Sequence, residues 1–280
     1  MTDTYDIAGA FDRDMLATIC EMPEADFRDA YGMTRTRVNQ KAPANFYLHL
    51  DNGSDTLAVA HLDTVGLAHQ RACRFLDTEG GEVVYSRALD DRLGAYIILE
   101  LLPALGVTHD ILLTVGEESG QSTAAFFDPA KDYDSVIEFD RGGTDVVMYQ
   151  YEDAYTIDLV EAAGARVGEG IFSDICYLDH LGVKGFNWGV GYQDYHGPRA
   201  HAYLDDTFYM VGRYLDFHQL TDGVHLPHHG NSARYSWDED EILTLDARDV
   251  WESEDDSELW TSLESANWPR LTTEKRDSWI

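Results

Sequence analysis

Basic residues and cysteines are scarce in this chain of 280 residues, and both deficits narrow its function. Its 20 lysines and arginines face 52 aspartates and glutamates, so the formal net charge at pH 7 is -32. Such an acidic chain repels the phosphate backbone, which argues against nucleic acid as a partner. The three cysteines include no CxxC pair. They predict no disulfide framework and favour a reducing cytosol.

Long apolar runs and lysine are scarce as well. No run of 18 or more apolar residues occurs, so no membrane-spanning helix is predicted. The N-terminus has neither a basic region nor an apolar core, so we expect no signal peptide and a cytoplasmic location. Only four of the 20 basic residues are lysines. Because salt screens repulsion between carboxylates, the charge balance indicates a protein of a high-salt organism or its virus.

Apolar segments and turn signals predict an α/β domain. Strands are predicted at 46–50, 56–60, 82–86, 110–115, 135–139, 145–151 and 184–190, the first two joined by the turn-type sequence 51–54. Helices are predicted in the N-terminal segment 1–45 and at 91–105, 122–127, 173–181 and 205–220, with Ser173 as the cap of 173–181. Alternating strands and helices indicate a three-layer αβα, doubly wound fold with a mixed, mostly parallel sheet.

The composition changes after residue 221. Residues 222–280 hold 15 acidic residues, five basic residues and five of the six tryptophans. No periodicity accompanies them, so we divide the chain into one domain over residues 1–221 and an acidic, tryptophan-rich extension over residues 222–280. The extension is either a tail that lies along the domain surface or a docking segment for a partner or a second subunit.

Side chains that can bind a metal follow four of the predicted strands. They are His61 and Asp63 after 56–60, Glu117 and Glu118 after 110–115, Asp140 after 135–139, and His196 after 184–190. In an open α/β sheet, ligands bind in the crevice beyond the carboxyl ends of the strands. The sequence therefore predicts one metal site, to which Asp90 at the start of the next helix adds a further ligand.

The residue types at these positions suit a pair of divalent cations that activate a water molecule for hydrolysis. The five candidate ligands are His61, Asp90, Glu118, Asp140 and His196, with Asp90 shared between the cations. Asp63 lies two residues beyond His61 on the same side of an extended segment, where its side chain could accept the second ring N–H. Of Glu117 and Glu118, one can bind a cation while the other moves a proton.

Five segments that carry these residues resemble the co-catalytic di-zinc exopeptidases. This family includes zinc aminopeptidases of the bacterial leucyl and tetrahedral types and related carboxypeptidases and deacylases. The segments are Ala60–Gly66, Ala88–Gly94, Thr114–Gly120, Glu138–Asp140 and Tyr195–Pro198, and Phe172–Asp174 resembles the serine–aspartate stretch of the same family. The resemblance covers about residues 46–220 and implies a zinc-peptidase-like fold.

The resemblance also implies a role for each site residue. It places His61, Asp90 and Asp140 on one zinc ion, and Asp90, Glu118 and His196 on the other. It also implies that Glu117 is the general base and that Asp63 supports a metal ligand. His201 is an alternative to His196, which we favour because Tyr195–Pro198 directly follows the strand. The spacings between the motifs leave no room for the lid or dimerisation domains that these relatives insert.

The function expected from this resemblance is metal-dependent hydrolysis of a peptide or amide bond, most simply the removal of an N-terminal residue. Zinc is the expected metal, with cobalt and manganese as alternatives. A carboxypeptidase or an N-acyl amino-acid deacylase is the second reading, for which Arg141, Arg166 or Arg199 would bind the substrate carboxylate. A non-catalytic, metal-stabilised accessory protein is the third. The expected partner is a peptide or acylated amino acid, with homo-oligomer formation or docking assigned to residues 222–280.

Overall fold

The computed structural model describes residues 5–38, 45–65 and 71–229. The N-terminal segment contains three short helices, α1 (Ile7–Ala10), α2 (Arg13–Glu21) and α3 (Phe27–Tyr31), and then strand β1 (Thr34–Arg37). Within residues 5–38, the helical prediction is therefore correct at α1, α2 and α3 and wrong at β1. Phe11 is extended between the first two helices, and the carboxylate of Asp12 caps α2 by accepting the N–H of Met15 at 3.0 Å.

The remaining strands join β1 in one ten-stranded sheet. They are β2 (Phe46–Leu50), β3 (Thr56–His61), β4 (Arg74–Thr78), β5 (Gly81–Tyr85), β6 (Asp110–Thr114), β7 (Ser135–Gly142), β8 (Val146–Val147), β9 (Gly185–Gln193) and β10 (His201–Tyr203). The order is β1-β2-β6-β3-β7-β9-β10-β5-β4, with β8 paired to β9. The central strands β6, β3, β7 and β9 are parallel neighbours, and antiparallel strands flank them. The predicted mixed sheet is confirmed, and its parallel part is the four central strands.

The first two predicted strands are not partners in a hairpin. Strand β6 lies between β2 and β3, antiparallel to the first and parallel to the second. The turn 51–54 is instead held by the buried carboxylate of Asp110, which accepts the backbone N–H groups of Asn52 and Ser54 at 2.9 and 3.0 Å. The ammonium group of Lys131 lies 2.8 Å from the same carboxylate. The turn-type sequence forms no hairpin here because β6 separates the two strands, and these contacts fix the turn in its place.

Helices cover both faces of the sheet. Helix α4 (Leu89–Tyr96) continues through a π turn (Ile97–Leu101) into α5 (Leu102–Ala104), and α6 (Ala154–Ala162) and α7 (Leu204–Thr221) follow. On one face Phe139 and Trp188 pack against Tyr214 of α7, with ring centroids 5.0 and 5.4 Å away. On the other face Glu138 contacts Ser173, at the start of the 3₁₀ segment Asp174–Leu181. The three-layer αβα prediction is thereby confirmed.

Several elements differ from their prediction. The strand predicted at 145–151 is reduced to Val146–Val147 and is followed by a 3₁₀ turn (Tyr149–Tyr151). The segments predicted as helices at 122–127 and 173–181 are 3₁₀ helices, and the hydroxyl of Ser173 bonds Glu138 instead of capping. Strands β4 and β10 and helix α6 were not predicted. Strand β10 has only three residues, and its partners are β9 and β5, so its local pattern is weak.

The start of the acidic extension packs on the domain. Leu226 is buried, its N–H donates to the carbonyl of Asp134, and its carbonyl accepts the N–H of Lys184. The predicted extension beyond residue 229 lies outside the described residues. Within the described residues, no helix is both long and apolar enough to span a membrane.

Candidate metal centre

The five predicted ligands meet at the carboxyl ends of the central strands. His61 is the last residue of β3, Asp140 lies in β7, and Glu118 lies in a 3₁₀ turn (Glu117–Ser119) after β6. Asp90 comes from the first turn of α4, and His196 from the loop between β9 and β10. His61, Asp90 and Asp140 each place one ligand atom within 4.8 Å of the others, and so do Asp90, Glu118 and His196.

Asp90 belongs to both groups because its two oxygens face different imidazoles. Its Oδ1 atom lies 3.1 Å from Nε2 of His61, and its Oδ2 atom lies 3.0 Å from Nε2 of His196. Nε2 of His196 is also 2.9 Å from Oε2 of Glu118, and Nε2 of His61 is 3.7 Å from Oδ1 of Asp140. The arrangement is two ligand groups joined by one carboxylate.

The two ligand groups bring several carboxylates together, so positive charge is favourable between them. Burial opposes a charged His61, but the negative charges and hydrogen bonds of Asp140 and Asp90 raise its pKa well above the ordinary value. Hydrogen bonds to Asp90 and Glu118 raise the pKa of His196 to about 10. Burial and repulsion from Asp90 raise the pKa of Asp140. A divalent cation bound here would supply the positive charge that protonated imidazoles otherwise supply.

The donor chemistry of the cluster fits divalent cations. Two imidazoles and three carboxylates are ligands that zinc and similar ions accept. Oε1 of Glu118 is buried without a hydrogen-bond partner among the described residues, so a ligand oxygen is left over. Nδ1 of His61 lies 2.8 Å from the backbone carbonyl of Asp63. Because a carbonyl only accepts, Nδ1 carries a proton, and Nε2, which faces Asp90, is the atom that would bind a cation.

The side chain of Asp63 has a different partner from the one predicted. Its Oδ1 atom lies 3.7 Å from Nδ1 of His61, too far for the expected hydrogen bond, which its backbone carbonyl makes instead. The carboxylate accepts the backbone N–H groups of Gly116 at 2.8 Å and Glu118 at 3.2 Å. Asp63 therefore shapes the turn that carries Glu117 and Glu118.

Glu117 lies beside the first ligand group without belonging to it. Its Oε2 atom is 3.8 Å from Nε2 of His61, and 15% of its side chain is exposed. Burial raises the pKa of Glu117 to about 8, although His61 acts in the opposite direction and Asp174 adds to the rise. A carboxyl group with this pKa can both accept and release a proton near neutral pH.

A layer of buried polar side chains supports the ligands, and sequence reasoning missed most of it. Asp91 accepts the N–H of His61 at 3.3 Å and the hydroxyl of Tyr192 at 2.9 Å. Asn187 accepts the N–H of Asp140 at 3.0 Å and donates to its carbonyl at 2.9 Å. The sequence offered two signals for this layer. Asp91 directly follows Asp90, and Asn187 is a lone amide inside an apolar strand.

Two further carboxyl groups lie in this layer. Ser173 donates its hydroxyl to Oε2 of Glu138 at 2.5 Å, and Thr114 donates to Asp174. Both acids are fully buried, and burial raises the pKa of each. Glu138 and Asp174 belong to segments that resemble the peptidase family, but sequence reasoning gives neither of them a role.

The two candidate histidines of the last motif lie in different surroundings. His196 has a left-handed backbone, with φ of 62°, and its ring reaches Asp90 and Glu118. His201 lies in β10, its Nδ1 atom 2.8 Å from the carbonyl of Arg199 and its ring stacked on Tyr85. The structure therefore brings His196 and not His201 into the cluster.

No family model and no curated protein match this sequence, but solved structures share its fold. A tripeptidase from Staphylococcus aureus superposes with a TM-score of 0.54 at 12% identity, over 74% of this chain and 96% of that protein. Aminopeptidase PepT from Bacillus cereus superposes with a TM-score of 0.53 at 12% identity, over 73% of this chain and 97% of that one. The predicted α/β fold is thereby confirmed as one that this chain shares with these two peptidases.

Proposed function

We propose that this chain is a metal-dependent peptidase that removes the residue at a free N-terminus. The observation that carries the proposal is the pair of ligand groups joined by the two oxygens of Asp90. In the proposal, His61 and Asp140 complete one group and Glu118 and His196 the other. The ions are two divalent cations, with zinc first and cobalt or manganese as alternatives. When bound, such ions polarise the scissile carbonyl and make a water molecule more acidic.

Glu117 is the general base in this proposal. It lies next to the ligand groups, 3.8 Å from Nε2 of His61, where its carboxylate can take a proton from water and pass it to the leaving amine. The carboxylate of Asp63 holds the turn that presents Glu117, through the backbone N–H groups of Gly116 and Glu118. A purely structural metal site has no use for such a base, which counts against the accessory-protein alternative.

The arginines favour an aminopeptidase over a carboxypeptidase or deacylase. Those two activities need a cation for the substrate carboxylate. The guanidinium of Arg141 is already held by Asp145, with N–O distances of 2.6 and 3.2 Å. Arg199 lies 3.7 Å from Asp194, and Arg166 also has an interaction partner. Two of the proteins that share the fold are a tripeptidase and an aminopeptidase, which agrees with this choice.

We extend the proposal to the rest of the chain. Residues 1–221 would form the catalytic domain without an inserted lid or dimerisation domain. Residues 222–280 would lie along that domain or dock to a second subunit. The charge of -32 supports a cytoplasm rich in salt as the working environment.

The test is cleavage of a defined peptide mixture in molar salt with zinc, cobalt or manganese. The mixture contains free peptides, peptides with a blocked N-terminus and peptides with a blocked C-terminus, and mass spectrometry identifies the products. We expect loss of N-terminal residues from every peptide with a free amine, whether or not its C-terminus is blocked. Cleavage only at free C-termini would replace the proposal with the carboxypeptidase reading. Bound metal without any cleavage would contradict a peptidase.

A further inference from the structure

Arg92, directly after the Asp90–Asp91 pair, is a fully buried arginine bound to backbone carbonyl groups. Its Nε atom donates to the carbonyl of Leu62 at 3.0 Å. Its Nη1 atom donates to the carbonyls of Ile19 at 3.1 Å and Met22 at 2.9 Å. One side chain therefore joins helix α4, the end of helix α2 and the segment after β3.

The backbone N–H and carbonyl of Leu62 link residues that build the metal centre. Its N–H donates to the carbonyl of Thr114 at 2.9 Å, and Arg92 holds its carbonyl. On one side of it lies the ligand His61, and on the other Asp63, whose carbonyl receives the ring N–H of His61. A shift of the Leu62 backbone would therefore displace His61 on one side and Asp63, which shapes the Glu117–Glu118 turn, on the other.

The other partners of Arg92 lie at the carboxyl end of helix α2. The last carbonyls of a helix lack partners within it and carry partial negative charge, so a cation is favourable there. Glu24, just beyond this end, lies 3.8 Å from Nη2 of Arg92 and accepts a hydrogen bond from Arg71 at 3.2 Å. The ring of Phe27 lies 4.8 Å from the guanidinium carbon. The N-terminal segment thus encloses Arg92.

We propose that Arg92 is a positioning residue of the metal centre, through which helix α2 holds the Leu62 peptide and thereby orients His61 and Asp63. The inference rests on the proposed function only in taking His61 as a metal ligand. It makes the N-terminal segment a working part of the site, although that segment supplies none of the five proposed ligands.

The test compares R92M, R92K and the matched control R13M. Arg13 also ties helix α2 to the domain, through Glu82 of β5, but it is half-exposed and does not contact the Leu62 carbonyl. For each protein in molar salt we would measure zinc affinity by competition with a chelator, kcat and KM, and thermal unfolding without metal. Loss of a support for a metal ligand typically weakens metal binding about 10- to 100-fold.

We expect R92M to bind zinc about 10- to 100-fold more weakly. The fold-decrease in its kcat should exceed the fold-change in its KM. R92K should recover part of both losses, since an ammonium group can still hold some of the carbonyls. R13M should lose thermal stability but keep its zinc affinity. Folded R92M with the zinc affinity of the parent would overturn the proposal, as would an equal loss of affinity in R13M. If R92M does not fold, R92K decides: unchanged affinity overturns the proposal, and weaker affinity supports it.

The design separates this inference from the proposed function. A parent protein that binds zinc but cleaves no peptide contradicts the peptidase, while the affinities of the variants still decide the role of Arg92. A parent protein that binds no divalent metal would overturn both.

Discussion

Replacing Asp63 with asparagine separates two ways in which this residue could support the metal centre. In the structure its carboxylate accepts two backbone N–H groups, from Gly116 and Glu118, while its carbonyl holds the ring of His61. Asparagine keeps the carbonyl and one side-chain acceptor, but its amide NH2 group would face the second N–H. D63N should therefore disturb the Glu117–Glu118 turn and leave His61 in place.

The expected size of this effect follows from the bond that is lost. A hydrogen bond to a charged group contributes about 1.5–3 kcal/mol. One such loss corresponds to roughly a tenfold to hundredfold change at about 1.4 kcal/mol per factor of ten. We place D63N near the lower end, because 26% of the Asp63 side chain is exposed and water can replace part of the interaction.

The assay is steady-state kinetics together with a stepwise metal titration in molar salt. H61A and E118A serve as references for losing one ligand group or the other. D63N should lower kcat about tenfold or more. In the metal titration it should weaken the same binding step that E118A weakens. The control D51N alters another aspartate that accepts a backbone N–H, from Gly53 at 2.9 Å, and should leave both readouts unchanged. A D63N protein that loses the same step as H61A would refute the reasoning.

Three further predictions concern the same chain. E117Q should lower kcat about 100- to 10,000-fold while the protein keeps two metal equivalents, and an active metal-loaded E117Q would exclude Glu117 as the base. H196A should lose one metal equivalent and H201A none, measured by metal analysis after dialysis; the reverse result would assign the ligand to His201. Because the Debye length falls from about 10 Å at 0.1 M salt to about 3 Å at 1 M, repulsion within this chain of net charge -32 should weaken with salt. The midpoint temperature of thermal unfolding should rise between these two salt concentrations. Full stability in dilute buffer would count against adaptation to high salt.

The layout of the candidate site was predictable because strand ends can be read locally. Buried parallel strands appear as short apolar runs, and the residue after each run lies at the same edge of the sheet. This reasoning predicts that His61, Glu118 and Asp140 lie together at the edge of the sheet. It failed for the connection between β2 and β3, since a turn-type sequence does not reveal that β6 inserts between the two strands.

Choices between neighbouring groups depended on backbone direction, which sequence spacing does not reveal. His196 and His201 are five residues apart, and the left-handed conformation of His196 turns its ring towards Asp90 while β10 holds His201 away. The two acceptors of Asp63, carbonyl and carboxylate, belong to one residue, and only their positions assign one to His61 and the other to the turn.

The α/β class, the acidic character and the residue types that meet at the sheet edge can all be predicted from the amino-acid sequence. These properties follow from composition and from periodicity within single segments. Tertiary structure alone decided the strand order, the buried layer around Asp91 and Asn187, and the contact between Arg92 and the end of helix α2. Ile19, Leu62 and Arg92 are distant in sequence, and a buried guanidinium meets those carbonyls only after the sheet and helices have packed.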